Sequence, residues 1–418
     1  MADQGQLADV FLDAFSITKD VSYSFVARDI LDYLRRDMIG PEGEIFSAED
    51  VDSAESPGAK RKKEGAFYVW TSKEIDDILG EHANIFKEHY YIKPTGNCDL
   101  SKMSDPHNEF RGKNVLIERN DSPALASKLG MPIEKYLEIL GECRQKLFDV
   151  RLRRPRTHLD DKGVIVSWNG LVISSFARAS KILKGEVEGT KFYFPVTGCD
   201  PKEYMGVAEK AASFIRRKLY HERLCRLQHS FRNGPSKAPG FLDDYAFLIS
   251  GLLDLYEFGG RIFWLVWAIE LQNTQAVFGT RLKDMAMAVP LMCCAADLLS
   301  VPHRKQVVSV GHKPSVEFEN MLAAAHSTYD PNRTVIHIDP NDTEEMEFWE
   351  ETNSNIAFMA KNNYSPDSVV ALVCQNFTCS PPVVDPKSLE TLLSQKPSSS
   401  AEAVLAQNIT PICTTKTA

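Results

Sequence analysis

The chain has 418 residues, of which 43% are hydrophobic and 25% are charged, an ordinary balance for a globular protein with one large domain or two. Its net charge of −9 argues against the broad positive field that nonspecific nucleic-acid binding requires. No window approaches about eighteen consecutive apolar residues, so no membrane span is expected. The N-terminus lacks a secretory signal pattern, so a soluble chain is expected, and the compartment stays open between the cytoplasm and secretion of a longer form.

The nine cysteines are scattered and form no paired CxxC motifs, so neither a zinc site nor a disulfide framework is expected. Only Cys293 and Cys294, and Cys374 and Cys379, lie close together in the sequence. The second pair follows a predicted strand, and a redox or metal pair stays open there. We expect no bound metal and no cofactor.

From Gln6 to about Leu299, apolar residues recur at intervals of three and four, which predicts amphipathic helices, most of them in αα-hairpins. The predicted helices cover roughly 5–17, 22–36, 72–90, 122–129, 133–151, 168–184, 203–219, 242–258, 261–277 and 281–299. Three connecting loops, at 39–71, 93–121 and 153–167, are longer than a connection needs, and long loops in compact domains often carry function. We therefore predict a mainly α helical domain over residues 1–300.

After Val301 the pattern changes to short β-branched runs separated by helical segments at 314–327 and 343–360. The runs are KQVVSVGH (305–312), RTVIHID (333–339) and DSVVALVC (367–374). This alternation predicts a small parallel α/β unit over residues 301–395. Residues 396–418 are rich in Ser and Thr and are predicted to be a disordered tail.

The stretch GFLDDYAFLI places Asp243 and Asp244 at the predicted start of an amphipathic helix, followed by Tyr245 on its apolar stripe. Unpaired amides and the helix dipole favour a carboxylate there. The two aspartates are therefore either helix caps or acid–base groups of a site.

A second turn of the same kind precedes the helix that starts near residue 168. It contains His158, Asp160 and Asp161 as candidate catalytic groups, and Trp168 and Asn169 follow them. An aromatic face and an amide are the usual means of holding a sugar ring, although a Trp at this place is also typical of a core. His158 is a candidate proton carrier near neutral pH.

A third acidic loop carries Asp50 and Asp52, and Glu64 opens the aromatic run that contains Tyr68 and Trp70. Sugar chemistry uses two carboxylates in different environments, and Glu64 among aromatic residues is a candidate proton donor. Solvated turns are the alternative for these loops. Further along, Lys113 and Asn114 in RGKNVL are candidate ligand-binding groups for a phosphate or carboxylate, with a surface role as the alternative.

Several strings together resemble the spermatogenesis-associated protein 20 family, from Asp3 to about Leu393. They are AEDVDS, KEGAFYVWTSKEI, GKNVL, RRPRTHLDDK, SWNGL, GFLDDYAFLISGLLDLYE and VCQNFTCSPPV. The resemblance implies an (α/α)6 toroid of the six-hairpin glycosidase type, related to sugar epimerases, whose loops line a cleft. Family members also carry an N-terminal thioredoxin-like domain. Here that domain is expected to be absent, and a toroid segment near residue 275 is expected to be missing.

The sequence therefore predicts an incomplete (α/α)6 toroid followed by the α/β unit. The first functional hypothesis is a carbohydrate-binding or sugar-processing protein, epimerase-like or hydrolase-like, whose ligand is a carbohydrate or another small molecule. The alternative is a non-catalytic binding or scaffolding protein in spermatogenesis and cell differentiation. A redox role ranks last, because it depends on the thioredoxin-like domain.

Overall fold

A computed structural model describes residues 1–119, 121–156, 163–275, 305–375 and 378–394. The chain divides into two compact units, Met1–Ala295 and Ala296–Ala418. The predicted boundary near residue 300, the predicted helix at 281–299 and the predicted tail lie outside the described residues, as does most of the stretch beside the expected gap near residue 275. Within the described ranges, no helix is long and apolar enough to cross a membrane.

The first unit is mainly helical, which confirms the predicted fold class. Its helices are α1 (Ala2–Thr18), α2 (Val21–Asp37), α3 (Ser72–Leu79), α4 (Ala83–His89), α5 (Ser122–Lys128), α6 (Ile133–Arg151), α7 (Val166–Ile182), α8 (Lys202–Leu219), α9 (Leu242–Gly259) and α10 (Ile262–Gln275). The predicted helix at 72–90 is interrupted at Gly80, whose φ of 56° ends α3.

Short antiparallel strand pairs close the loops of this unit. They are β1 (Asp52–Ala54) with β2 (Lys62–Glu64), β3 (Val164–Ile165) with β6 (Ser230–Phe231), and β4 (Tyr220–His221) with β5 (Arg226–Leu227). The pairing of β3 with β6 ties the segment before α7 to the segment before α9. It thereby brings the starts of these two helices together.

Helices α7 and α9 run parallel and in register. The Ser167 N–H donates to Asp244 near the start of both helices, and the Ser174 hydroxyl donates to Asp254 two turns further on. Helix α1 runs parallel to α7 in the same way, because the Ser175 hydroxyl donates to the Gly5 carbonyl (2.8 Å) while Arg178 pairs with Asp13. Parallel neighbouring helices are typical of the wall of an (α/α) toroid, whereas the complete ring stays a prediction.

Two glycines set the distance between α7 and α9. A Cβ atom on Gly170 would lie 2.4 Å from the carbonyl carbon of Phe247, and one on Gly251 would lie 2.5 Å from the Gly170 carbonyl oxygen. Neither position has room for a side chain, so the two backbones meet directly. Leu248 and Leu252 of α9 are fully buried around this contact.

The second unit is a four-stranded sheet with helices. In chain order it contains β7 (Gln306–Val310), α11 (Val316–Ala325), β8 (Thr334–Ile338), α12 (Thr343–Thr352), α13 (Ser354–Asn363), β9 (Val370–Gln375), β10 (Thr378–Cys379) and α14 (Pro386–Ser394). The strand order is β10-β9-β7-β8. Strands β7 and β8 are parallel as predicted, but β9 is antiparallel to β7, so the sheet is mixed.

Cys374 and Cys379 form a disulfide between the neighbouring strands β9 and β10. These are the two cysteines for which the sequence left a redox or metal pair open. The two residues face each other directly in the antiparallel register, and this pairing brings the two sulfur atoms within bonding distance. The sequence did not predict this cross-strand bond.

Candidate functional site

Asp244 lies at the point where α7 and α9 begin side by side. Its side chain is fully buried. It accepts hydrogen bonds from the backbone N–H of Phe241 (2.8 Å) and from that of Ser167 (3.0 Å). The first bond caps its own helix and the second caps the neighbouring one, so capping is one real role of this aspartate.

His229 adds a third hydrogen bond to the same carboxylate. Its Nδ1 lies 2.9 Å from Asp244 Oδ2, and the side chain is 30% exposed. The backbone holds His229 in place, because its N–H donates to Ala238 O and its carbonyl accepts from Val166 N. The ring packs edge-on against the exposed Phe241, with centroids 4.8 Å apart.

This arrangement can carry a proton. An ionised carboxylate has no proton to donate, so in its bond with Asp244 the Nδ1 of His229 is the donor. The other ring nitrogen, Nε2, is then the basic one. Within the described chain, no hydrogen bond to Nε2 is present. An imidazole oriented by a buried carboxylate is a common general acid–base arrangement.

The other predicted residues of this region have different surroundings. Asp243 is exposed, and Trp168 is half-buried at the first turn of α7. The buried Asn169 side chain donates to the carbonyls of Ile45 and Ile165, both at 3.0 Å. The buried Tyr245 hydroxyl accepts from Leu227 N at 3.0 Å. Asn169 and Tyr245 therefore fasten loops to helices, whereas Asp243 stays exposed and Trp168 half-buried.

The predicted acidic loop forms the β1–β2 hairpin. Asp52 faces Glu64 across it, and both side chains are exposed. Asp50 accepts from the backbone N–H of Asp52 (3.0 Å) and pairs with Lys62. Glu64 thus lacks the aromatic enclosure on which a proton-donor role depends.

Tyr68, Trp70, Lys113 and Asn114 also make structural contacts. The Tyr68 hydroxyl donates to Glu49 (2.9 Å), and Lys113 pairs with Glu55 at 3.4 Å. Trp70 is buried, with its ring 3.9 Å from the Arg154 guanidinium carbon. Asn114 is fully buried and bonds to the backbone of Lys93 and Trp70.

The remaining predicted residues, His158, Asp160 and Asp161, lie outside the described residues. Within residues 1–275, the structure leaves Asn120 and residues 157–162 undescribed. The hypotheses for these three residues stay predictions.

A carboxylate cluster on α1, α7 and α9 was not predicted. Arg178 pairs with Asp9 (3.1 Å) and Asp13, while the Ser174 hydroxyl, bonded to Asp254, lies 3.5 Å from Asp9. Burial raises the pKa of Asp9 to about 7, helped by the neighbouring carboxylates and opposed by Arg178. Burial also raises the pKa of Asp254. Both aspartates are isolated acids within helical sequence, so only the packing of three helices brings them together.

His229 was also not singled out, because LQHSF contains no local pattern that distinguishes its histidine. The pairing of β3 with β6 and the start of α9 are what place it on Asp244. In the described part of the chain, no group of three or more His, Cys, Asp or Glu side chains is arranged to hold a metal ion.

The chain is similar to spermatogenesis-associated protein 20. It is 29% identical to the human protein over 94% of this chain and 57% of the relative, and 28% identical to the mouse protein with the same coverage. It is also 30% identical to the uncharacterized protein B0495.5 of Caenorhabditis elegans, over 65% of this chain and 36% of the relative. No family model matches the chain. The chain therefore spans little more than half the length of its mammalian relatives.

Proposed function

Starting from the relationship of this chain to spermatogenesis-associated protein 20, we propose that it processes a carbohydrate by acid–base chemistry at His229. The observation that carries the proposal is the bond between His229 and the buried Asp244 at the start of two parallel helices. The partly exposed imidazole is the group that meets the substrate. Asp244 positions it.

The proposed step is a proton transfer. His229 Nε2 takes a proton from a sugar carbon next to a carbonyl group, and the electron pair of that C–H bond is delocalised onto the carbonyl oxygen. Asp244 stabilises the imidazolium that forms, and the proton then returns to the same carbon. Phe241 is exposed and packs against the imidazole, so an aromatic face for a sugar ring is beside the base.

An epimerase-like reaction fits this site better than glycoside hydrolysis. Hydrolysis with two carboxylates needs one to attack the sugar or activate water and the other to donate a proton. Asp244 already accepts three hydrogen bonds and is fully buried, so it serves His229 rather than a substrate. Proton exchange requires only an accessible base.

The biological setting that we propose is the one in the relatives' name, spermatogenesis. In the alternative to catalysis, the same surface binds a sugar or protein partner without turnover. The exposed Phe241 beside His229 favours that alternative as well, because an aromatic face binds a sugar whether or not a base acts on it.

Solvent exchange tests the proposal directly. The purified chain is incubated in D₂O with reducing monosaccharides and their N-acetylamino derivatives, and loss of the sugar C–H signal is followed by proton NMR. We expect exchange with the wild-type chain and a fall of about 100-fold or more in His229→Gln, because a glutamine amide is polar but does not act as a base near neutral pH.

His221→Gln is the matched control, because His221 is exposed on β4 and has no place in the site. It should exchange like the wild-type chain. Exchange that survives His229→Gln would refute the role of His229. A saturable thermal shift with a sugar, without exchange, would instead support non-catalytic binding.

A further inference from the structure

A cavity of about 390 Å³ lies between α2 and α6 in the first unit. Its charged lining residues are Asp29 and Arg36 from α2 and Arg144 and Arg151 from α6. These pairs are seven residues apart in each helix, or two turns, so each pair lies on one helix face. The volume is within the range of small-molecule sites.

Aromatic side chains form a second part of the lining. The rings of Phe148 and Phe194 lie 5.2 Å apart, centroid to centroid, and both border the cavity. Phe148 also lies under two of the arginines, with its centroid 5.1 Å from the Arg36 guanidinium carbon and 5.8 Å from that of Arg151. The cavity thus combines cationic groups with an aromatic wall.

Two of the three arginines are anchored by the protein. Arg144 donates to Phe194 O (2.7 Å) and to the Tyr90 hydroxyl (2.9 Å). Arg36 pairs with Asp37 at 2.7 Å, and Asp37 is shared with Arg156. These bonds hold the guanidinium groups in defined positions, as recognition of a planar or tetrahedral anion requires.

Arg151 differs from the other two. Its guanidinium carbon lies 5.6 Å from the Phe67 centroid and 5.8 Å from the Phe148 centroid. Among the described residues, no hydrogen bond or ion pair joins it to a carboxylate. Burial lowers the pKa of this guanidinium from its ordinary value. Asp37 attracts the Arg151 charge without a hydrogen bond to it, so the desolvation of this cation is only partly offset, and a bound anion would offset it further.

The balance of charge identifies the class of anion. The lining carries three guanidinium groups and one carboxylate, Asp29, whose pKa is raised by burial against the pull of Arg144 and Arg36. Asp37 already pairs with Arg36, so Arg144 and Arg151 supply the positive charge that faces an anion in the cavity, and two guanidinium groups together match a dianion. A phosphate monoester is a dianion near neutral pH, and its oxygens accept the forked N–H groups of arginine.

We propose that this cavity binds a phosphate monoester of a small ring compound, with the phosphate on the arginines and the ring against Phe148 and Phe194. The site shares no residue with the His229–Asp244 pair. Each of the two proposals can therefore fail without the other.

Isothermal titration calorimetry of the whole chain tests this inference with four probes: glucose 6-phosphate, inorganic phosphate, glucuronate and glucose. We expect glucose 6-phosphate to bind most tightly, inorganic phosphate more weakly, and glucose not at all. Arg151→Gln should weaken glucose 6-phosphate binding about 10- to 100-fold, the effect of removing a charge-assisted hydrogen bond.

Arg153→Gln is the matched control, because Arg153 is exposed just beyond α6 and does not line the cavity. It should bind like the wild-type chain, and thermal melting of both variants verifies that they fold. Tighter binding of glucuronate than of glucose 6-phosphate would overturn the assignment to a phosphate. Absence of binding by both phosphates, or equal binding by Arg151→Gln and wild type, would overturn the site.

Discussion

The packing of α7 against α9 places a carboxylate at each of two levels, and the two carboxylates have opposite surroundings. Asp244, at the start of both helices, faces two backbone N–H groups and His229. Asp254, almost three turns further on in α9, lies near Asp9 and Asp13, with Arg178 as the cation of the cluster. Helix starts offer free N–H donors, whereas helix interiors offer none, because their amides are already bonded.

This difference separates what the two levels can do. At the first level the charge is satisfied by the protein, so the carboxylate is a fixed support for an imidazole. At the second level the protein provides too few donors, and burial raises the pKa of Asp9 to about 7. The α7–α9 pair thus begins at a carboxylate that positions another group, whereas its second carboxylate, Asp254, lies beside a carboxyl group of α1, Asp9, whose pKa is near neutral.

The largest expected effect is at Asp244. In Asp244→Asn an amide NH₂ replaces one acceptor oxygen and faces N–H donors, so we expect the free energy of unfolding to fall by about 3 to 4 kcal/mol. Chemical denaturation measures the change. The exposed neighbour Asp243→Asn is the control and should change it by less than about 0.5 kcal/mol. Equal effects at both positions would show that Asp244 does not connect the two helices.

The glycine contact that separates the two levels comes next. Gly170→Ala would press a Cβ atom against the Phe247 backbone, and we expect a loss of about 3 kcal/mol in the free energy of unfolding. Gly206→Ala on α8 is the matched substitution, because no atom lies within 4 Å of its Cβ position. Alanine loses less backbone entropy than glycine when the helix forms, so that variant should be more stable by up to about 1 kcal/mol. A harmless Gly170→Ala would contradict the close approach of α7 and α9.

The smallest expected effect is the pH dependence at Asp9. Its ordinary pKa is 3.8 and its pKa in the folded chain is about 7. Between those values the folded chain holds a proton that the unfolded chain has lost. The free energy of unfolding therefore falls as pH rises through that window.

Asp9→Asn removes this titration. The stability of the variant relative to wild type should rise by about 2 kcal/mol between pH 4 and pH 8, less than the full linkage value because Asp9 is partly exposed and coupled to its neighbours. Denaturation at several pH values measures it. Asp3→Asn, at an exposed position of the same helix, should show no such trend, and a flat difference for Asp9→Asn would contradict the raised pKa.

Most of the described helices were predicted to within a few residues because each buries one side of an amphipathic stripe, as in α2, whose buried residues include Ala27, Leu31 and Leu34. The predicted helix at 343–360 is instead two helices, α12 and α13, which meet at Asn353, and α14 was not predicted. The strand directions of the second unit were harder to predict from the sequence. The β-branched runs predict strands, but whether β9 lies parallel or antiparallel to β7 depends on the path of the chain between them, which local pattern does not record.

The residues of the candidate site likewise differ in whether the sequence alone could predict them. Asp244 was predictable because a helix start has a local signature, with a turn, an acidic residue and an apolar stripe that follow one another in sequence. Its partner His229 and its neighbour Ser167 were not, since strand pairing and helix packing join residues that are far apart in the chain.

The sequence by itself determined a mainly helical protein with a smaller α/β unit, the starts of its helices, and the acidic residues placed there. Only the tertiary structure decided which carboxylates receive N–H donors, which meet other carboxylates, and which arginines surround one cavity. The physical reason is that secondary structure follows from periodicity over neighbouring residues, whereas burial, charge partners and cavities depend on contacts between distant segments, as between Asp9 and Arg178 or between α2 and α6.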